Sequence, residues 1–155
     1  MKTRIFTICI MVAALAMFAP VAAADFKVTG GGWIIDGDSR PTFGLQIKGK
    51  CNNYNNPDTC ISIGNLQYND RNYPIKIHSK DVKYETSWDN QEVFVFSGSC
   101  RIQSKDYEDE NGSFQLTVSE GVLGIIIFDE NGDIFPGMST EPDLLGGGNI
   151  KIQVK

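Results

Sequence analysis

The 155-residue sequence holds a single histidine, His78, and that scarcity removes several chemistries at once. A Ser-His-Asp triad would have one candidate base, and no Gly-x-Ser-x-Gly elbow is present to carry the nucleophile. His78 also alternates out of phase with Ile75 and Ile77, so it is expected to face solvent. Zinc spacing is missing too: there is no Cys-x-x-Cys and no His-x-x-x-His, and Cys51 and Cys60 stand nine apart. Beyond residue 18 no apolar run is long enough to span a bilayer; Val122 to Phe128 reads as a buried strand. Basic residues are in deficit, 14 Lys+Arg against 19 Asp+Glu for a formal charge of −5. That balance argues against nucleic acid and anionic membrane as partners, since both need basic patches.

What the chain does have begins at its N-terminus. Lys2 and Arg4 precede an apolar run from Ile5 to Phe18, followed by Pro20 and Val21-Ala22-Ala23-Ala24. A basic start, a short apolar middle and an Ala-x-Ala exit predict an export signal over residues 1–24, cleaved before Asp25. Cys9 lies inside the run rather than after a lipid-attachment site. The reading is a secreted or cell-surface protein whose residues 25–155 form one domain with its own core. Lys2 and Arg4 leave with the signal, so the remainder is two charges more negative than the whole chain.

Period-two alternation runs through nearly all of residues 25–155, with no helical stripe. Phe43, Leu45 and Ile47 alternate with Gly44, Gln46 and Lys48; Val82, Tyr84, Thr86 and Trp88 follow the same rule. Ile61 and Ile63 change phase at Gly64 to Leu66 and Tyr68, which predicts a bulge. Val93 to Phe96 is apolar on both faces, as a central strand would be. Asn111-Gly112 and Asn131-Gly132 predict two hairpin tips, because both residue types tolerate positive φ. About nine to ten short strands without helices predict an all-β, antiparallel sandwich or barrel.

Three cysteines remain after the signal. Cys51 and Cys60 bracket a polar segment with no apolar pattern, and an exported protein favours pairing them. Cys100 shares a face with Phe94, Phe96 and Ile102 and reads as a buried, inert thiol. The alternatives are an intermolecular bridge or a bond to Cys51 or Cys60.

Two glycine triplets, Gly30–Gly32 before Trp33 and Gly146–Gly148 before Asn149, lack the helix and Lys-Ser/Thr of a phosphate loop. They are expected to open the first and last strands, with Trp33 buried nearby. Taken in order, Val28-Thr29-Gly30-Gly31-Gly32-Trp33-Ile34, Thr42-Phe43-Gly44, Gly64 to Asp70, Ile77-His78-Ser79, Phe96 to Cys100 and Leu145 to Ile150 form a distinctive set. It resembles the small secreted domains of bacteria and archaea labelled post-COAP-1 domains. The resemblance implies an all-β exported module and assigns no catalytic or binding residue. The Cys51–Cys60 loop and Gly137 to Leu144 depart from it.

Function must then be sought in loops. Asp129, Asn131 and Asp133 occupy positions 1, 3 and 5 of a calcium-loop pattern. Glycine falls at position 4 instead of 6, and Thr140 stands where a bidentate Glu belongs, so a solvated hairpin tip without a cofactor is preferred, with bound calcium or another divalent ion as the alternative. A second acidic cluster runs from Asp106 to Asn111. Tyr54, Tyr73, Tyr84, Trp88 and Tyr107 lie in or beside polar segments, as stacking platforms for sugars do, although half-buried rings at strand ends look the same. Tyr54, Tyr73 and Trp88 are the expected contact surface. Asn111-Gly112-Ser113 is a glycosylation sequon at an expected tip. The reading is a non-enzymatic exported binding module for a glycan or cell-surface partner. Its rivals are assembly through sheet edges and a small carboxylate-dependent hydrolase.

Overall fold

A computed structural model describes residues 24–35, 38–88, 92–105, 108–136 and 143–155. Apart from Ala24, residues 1–24, read above as an export signal, lie outside the described residues.

Alternation along the chain is converted into nine strands: β1 (Ala24–Ile34), β2 (Thr42–Cys51), β3 (Cys60–Asp70), β4 (Ile75–Ser79), β5 (Lys83–Trp88), β6 (Val93–Ser104), β7 (Glu108–Ser119), β8 (Val122–Phe128) and β9 (Asp143–Val154). They form one antiparallel sheet in the order β4-β3-β2-β1-β9-β8-β7-β6-β5, and β4 also pairs with β6. That extra pairing closes the sheet on itself as a barrel. β4 and β5 lie end to end along one edge of β6, so together they act as a single strand interrupted at residues 80–82. The interruption is fastened by Asp81, whose carboxylate accepts the Ser99 N–H at 2.6 Å and the Ser99 hydroxyl at 3.0 Å.

Closure is uneven. β1 runs almost its whole length against β9, whereas among the described residues β8 meets β9 only at Val122–Leu144 and Leu123–Asp143. The strands are therefore strongly staggered at this seam, as closure of a tilted barrel requires. Successive strands are joined as an up-and-down meander, so their connections leave alternately from two ends. One end carries the β2–β3, β5–β6 and β7–β8 connections together with Asp25 and Lys155, whose backbones exchange hydrogen bonds at 3.0 and 2.8 Å. The other carries the β1–β2, β3–β4, β6–β7 and β8–β9 connections.

The barrel is filled rather than hollow. Val28, Ile47, Leu66, Ile77, Phe94, Phe96, Leu116 and Ile127 are fully buried and come from seven different strands. Near the Asp25 end the filling is aromatic: Phe26 lies 5.4 Å from Phe94 and 5.6 Å from Tyr84, centroid to centroid. Such tilted contacts add to plain area burial.

The structure corrects three expectations. β3 has no bulge at Gly64, since its register against β2 is unbroken from Cys51–Cys60 to Thr42–Asn69. Gly64 stands opposite the buried Ile47, and a Cβ there would come within 2.3 Å of the Gln46 carbonyl, so the glycine serves close approach of β2 and β3. The phase change instead leaves Ile61 and Ile63 on the outer surface, 76% and 58% exposed. Asn111-Gly112 is no hairpin tip either; it lies within β7, with Gly112 opposite Cys100. A side chain at Gly112 would strike Ile102 at 2.4 Å, so this glycine makes room for a core residue. Asn131-Gly132 does turn, with Gly132 at φ 83° and its N–H bonded to the Asp129 carbonyl at 3.0 Å. Third, Trp33 is not a core residue. Its half-buried ring lies on the outer surface over Gly146 and Gly147, where a Gly146 Cβ would sit 1.9 Å from the indole. Arg40 covers the ring at 5.0 Å from its centroid.

Candidate functional site

The expected contact residues do not form one surface. Tyr54 sits in the β2–β3 connection with its ring turned to the core, 6.0 Å from Tyr84 and 6.3 Å from both Phe26 and Phe94. Its carbonyl accepts the Tyr84 hydroxyl at 3.0 Å. Burial, then the neighbouring Tyr84 and Asp25, push the Tyr54 phenol above its ordinary pKa. The loop that presents Tyr54 is closed by the Cys51–Cys60 disulfide, which joins facing residues of β2 and β3. Thr59 fastens its interior, donating to the Asn56 carbonyl at 2.8 Å and accepting from the Asn53 N–H at 3.0 Å. Tyr73 is exposed at the opposite end of the barrel, in the β3–β4 connection. Trp88 ends β5 opposite Val93, on the Tyr54 end; its side chain lies outside the described residues.

The acidic hairpin shares the Tyr73 end. Asp129 Oδ1 accepts the N–H groups of Asn131 at 2.9 Å and Asp133 at 3.0 Å, so it holds the turn. No group of three or more His, Cys, Asp or Glu is placed to hold a metal ion among the described residues. Asp109 is buried beneath this tip and accepts the Glu130 N–H at 2.9 Å. Asp106, Tyr107 and residues 137–142 lie outside the described residues. Asn111 is exposed, in a strand rather than a tip. His78 is exposed on β4, as its phase predicts. Cys100 is a free, buried thiol; burial first, then the charge of Asp109, raises its pKa to about 12.

One arrangement escaped the loop-based reading. On the outer face of the β9-β1-β2-β3-β4 wall, Gly31 and Gly44 stand directly opposite each other. A Cβ at Gly44 would meet nothing within 4 Å, and one at Gly31 only the Phe43 carbonyl at an ordinary 3.5 Å. Neither glycine is demanded by packing, although glycine inside a strand costs about 0.5–1 kcal/mol relative to alanine. The pair leaves a bare strip of backbone. Strand register then surrounds it with Gln46 and Thr42 on β2, Asn149 on β9, Thr29 and Trp33 on β1, and Gln67 on β3. Asn65, Asn69 and His78 complete the border, and a depression of about 420 Å³ opens across Gly44, Gln67 and His78.

Five carboxamides around a backbone floor offer paired donors and acceptors, the chemistry that matches sugar hydroxyls. The sequence signal was available in the alternation itself, since Gly44 and Gln46 occupy the solvent-facing positions of β2. No protein-family model matches the chain, and neither does any curated protein or solved structure.

Proposed function

We propose that this chain is an exported, non-enzymatic module that binds carbohydrate across the outer face of the β9-β1-β2-β3-β4 wall. The observation that carries the reading is the Gly31–Gly44 pair, two side chains missing where the fold has room for them and would gain from them. A flat floor bordered by amides, with the Trp33 ring at its margin, lets a pyranose approach the backbone and exchange hydrogen bonds on both sides. The expected mode is a shallow, rigid platform of weak to moderate affinity.

Filling the floor tests this directly. Gly44→Thr should raise stability by about 0.5–1 kcal/mol, because a β-branched residue suits an open strand position. It should also abolish retention on a glycan array that the unmodified chain shows. Undiminished glycan binding by Gly44→Thr, or no retention of the parent chain on any glycan, would sink the proposal.

A second reading rests on the seam. Beyond Leu144 and Leu145, no described strand pairs with the β8-facing side of β9. Assembly by strand addition there predicts concentration-dependent oligomers in size-exclusion chromatography.

A further inference from the structure

The same wall carries a second feature that the chain's overall charge conceals. Outward positions of β9, β1 and β2 place Lys151, Lys155, Lys27, Lys48 and Lys50 on one continuous surface, all exposed. Lys27 lies directly opposite Lys48, and Lys50 opposite Asp25, the sole acid within this group. The backbone pairing of Asp25 with Lys155 completes a row at the barrel's end. None of the five lysines has an ion-pair partner among the described residues. Directly opposed like charges, with Cβ atoms about 5 Å apart, destabilise a sheet. An acidic chain that gathers its cations this way creates a local positive field against its own average.

The lysines are in register with the amide-bordered floor. Thr29 is flanked by Lys151 and Gln46, and Lys48 by Ile63, on the strands that two and four residues further along hold Gly31 and Gly44. A ligand following the strands from the floor therefore passes from amides onto ammonium groups. Its chemistry must offer hydroxyls at one end of the wall and negative charge at the other. The wall is also the convex side of a barrel, which a flat bilayer would touch along a narrow line while a chain molecule can follow it.

We infer that the ligand is an acidic polysaccharide, bound by its hydroxyls over Gly31–Gly44 and by its carboxylate or sulfate groups over Lys27, Lys48, Lys50 and Lys151. Exposed Ile61 and Ile63, beside Lys50 and Lys48, supply the apolar contact for pyranose C–H faces. The inference rests on the carbohydrate-binding reading above and adds the ligand's charge.

The test uses polygalacturonate, a neutral β-glucan, and vesicles of phosphatidylcholine with 30% phosphatidylglycerol as probes, by calorimetry and co-sedimentation. The variants are Gly44→Thr and the triple change Lys27→Gln, Lys48→Gln, Lys50→Gln, with the thermal midpoint as a check on folding. Polygalacturonate should bind the parent chain, and the triple variant should bind it at least about tenfold more weakly. The slope of log K against log salt should become shallower by about two in the triple variant, the share of three screened contacts. Any residual binding of neutral glucan should be unchanged by the triple variant and lost in Gly44→Thr. Polygalacturonate binding that is indifferent to salt and to the triple variant overturns the inference. Binding of neutral glucan alone overturns it while leaving the floor intact, and binding of neither glycan overturns both readings. Vesicle binding lost in the triple variant, without polygalacturonate binding, reassigns the lysines to anionic lipid. A change of oligomeric state in the triple variant reassigns them to a second copy of the chain.

Discussion

Cys100 shows how far a single residue's surroundings can change its chemistry. Its register partners on the flanking strands β4 and β7 are Ser79 and Gly112, and its thiol is sealed from solvent. Burial raises the folded-state pKa to about 12, so above the ordinary thiol range the unfolded chain ionises first. The stabilising effect is complete below about pH 9 and is lost as pH rises toward 12, because the unfolded state then binds fewer protons. Tyr84, raised by burial although its bond to Ser87 opposes the shift, and Tyr54 act in the same direction at higher pH. Guanidinium titrations at pH 8 and pH 10.5 should show stability falling with pH, and Cys100→Ala should flatten that fall. A thiol reagent should label Cys100 only in denaturant. Rapid labelling of the native protein would contradict the sealed site.

At the scale of elements, the two glycine triplets divide their labour. Gly32 and Gly148 face each other with backbones so close that a Cβ on either would collide, at 2.0 and 2.1 Å, with a carbonyl of the other strand. Gly146 and Gly147 instead make the bed for Trp33. Because that ring is half-buried on the outer surface, Trp33→Ala should cost less than Phe94→Ala, for which about 3–5 kcal/mol is typical. Gly146→Ala should be destabilising alone and nearly harmless in the Trp33→Ala background, and thermal unfolding of the four combinations measures that coupling. The sequence showed that a large ring accompanies glycine here. It placed both triplets at strand openings and buried Trp33, whereas Gly30–Gly32 lies near the end of β1 and the ring rests on Gly146 and Gly147. The reason is that strand order, which sets β1 against β9, is not written in local spacing. Asn111-Gly112 misled for a related reason, since a glycine that accommodates Ile102 looks the same in sequence as one that turns.

For the whole molecule, the strand count, the antiparallel all-β class and the Cys51–Cys60 bridge were legible, because each follows from local alternation or short spacing. The lysine surface and the amide border were not. Residues 27, 48, 50 and 151 meet only through register between β9, β1 and β2, and an acidic total hides them. Closure itself sets the expected order of opening. Among the described residues, five residue pairs join β4 to β6, against two joining β8 to β9. Amide exchange at Leu145, bonded to the Gly121 carbonyl across that thin seam, should be faster than at Leu116 in the β6–β7 ladder. Equal protection at the two positions would mean that the seam is not the weak line.

The antiparallel meeting of Asp25 with Lys155 has a mechanical consequence. Sheet hydrogen bonds run perpendicular to the strands, so tension applied between these two neighbouring residues would load one pair of β1–β9 bonds at a time. Under such a pull the wall would peel like a zipper at low force. Tension between Asp25 and a polymer lying along the wall would instead load many bonds in parallel, giving a joint that is yielding from one direction and stiff from another.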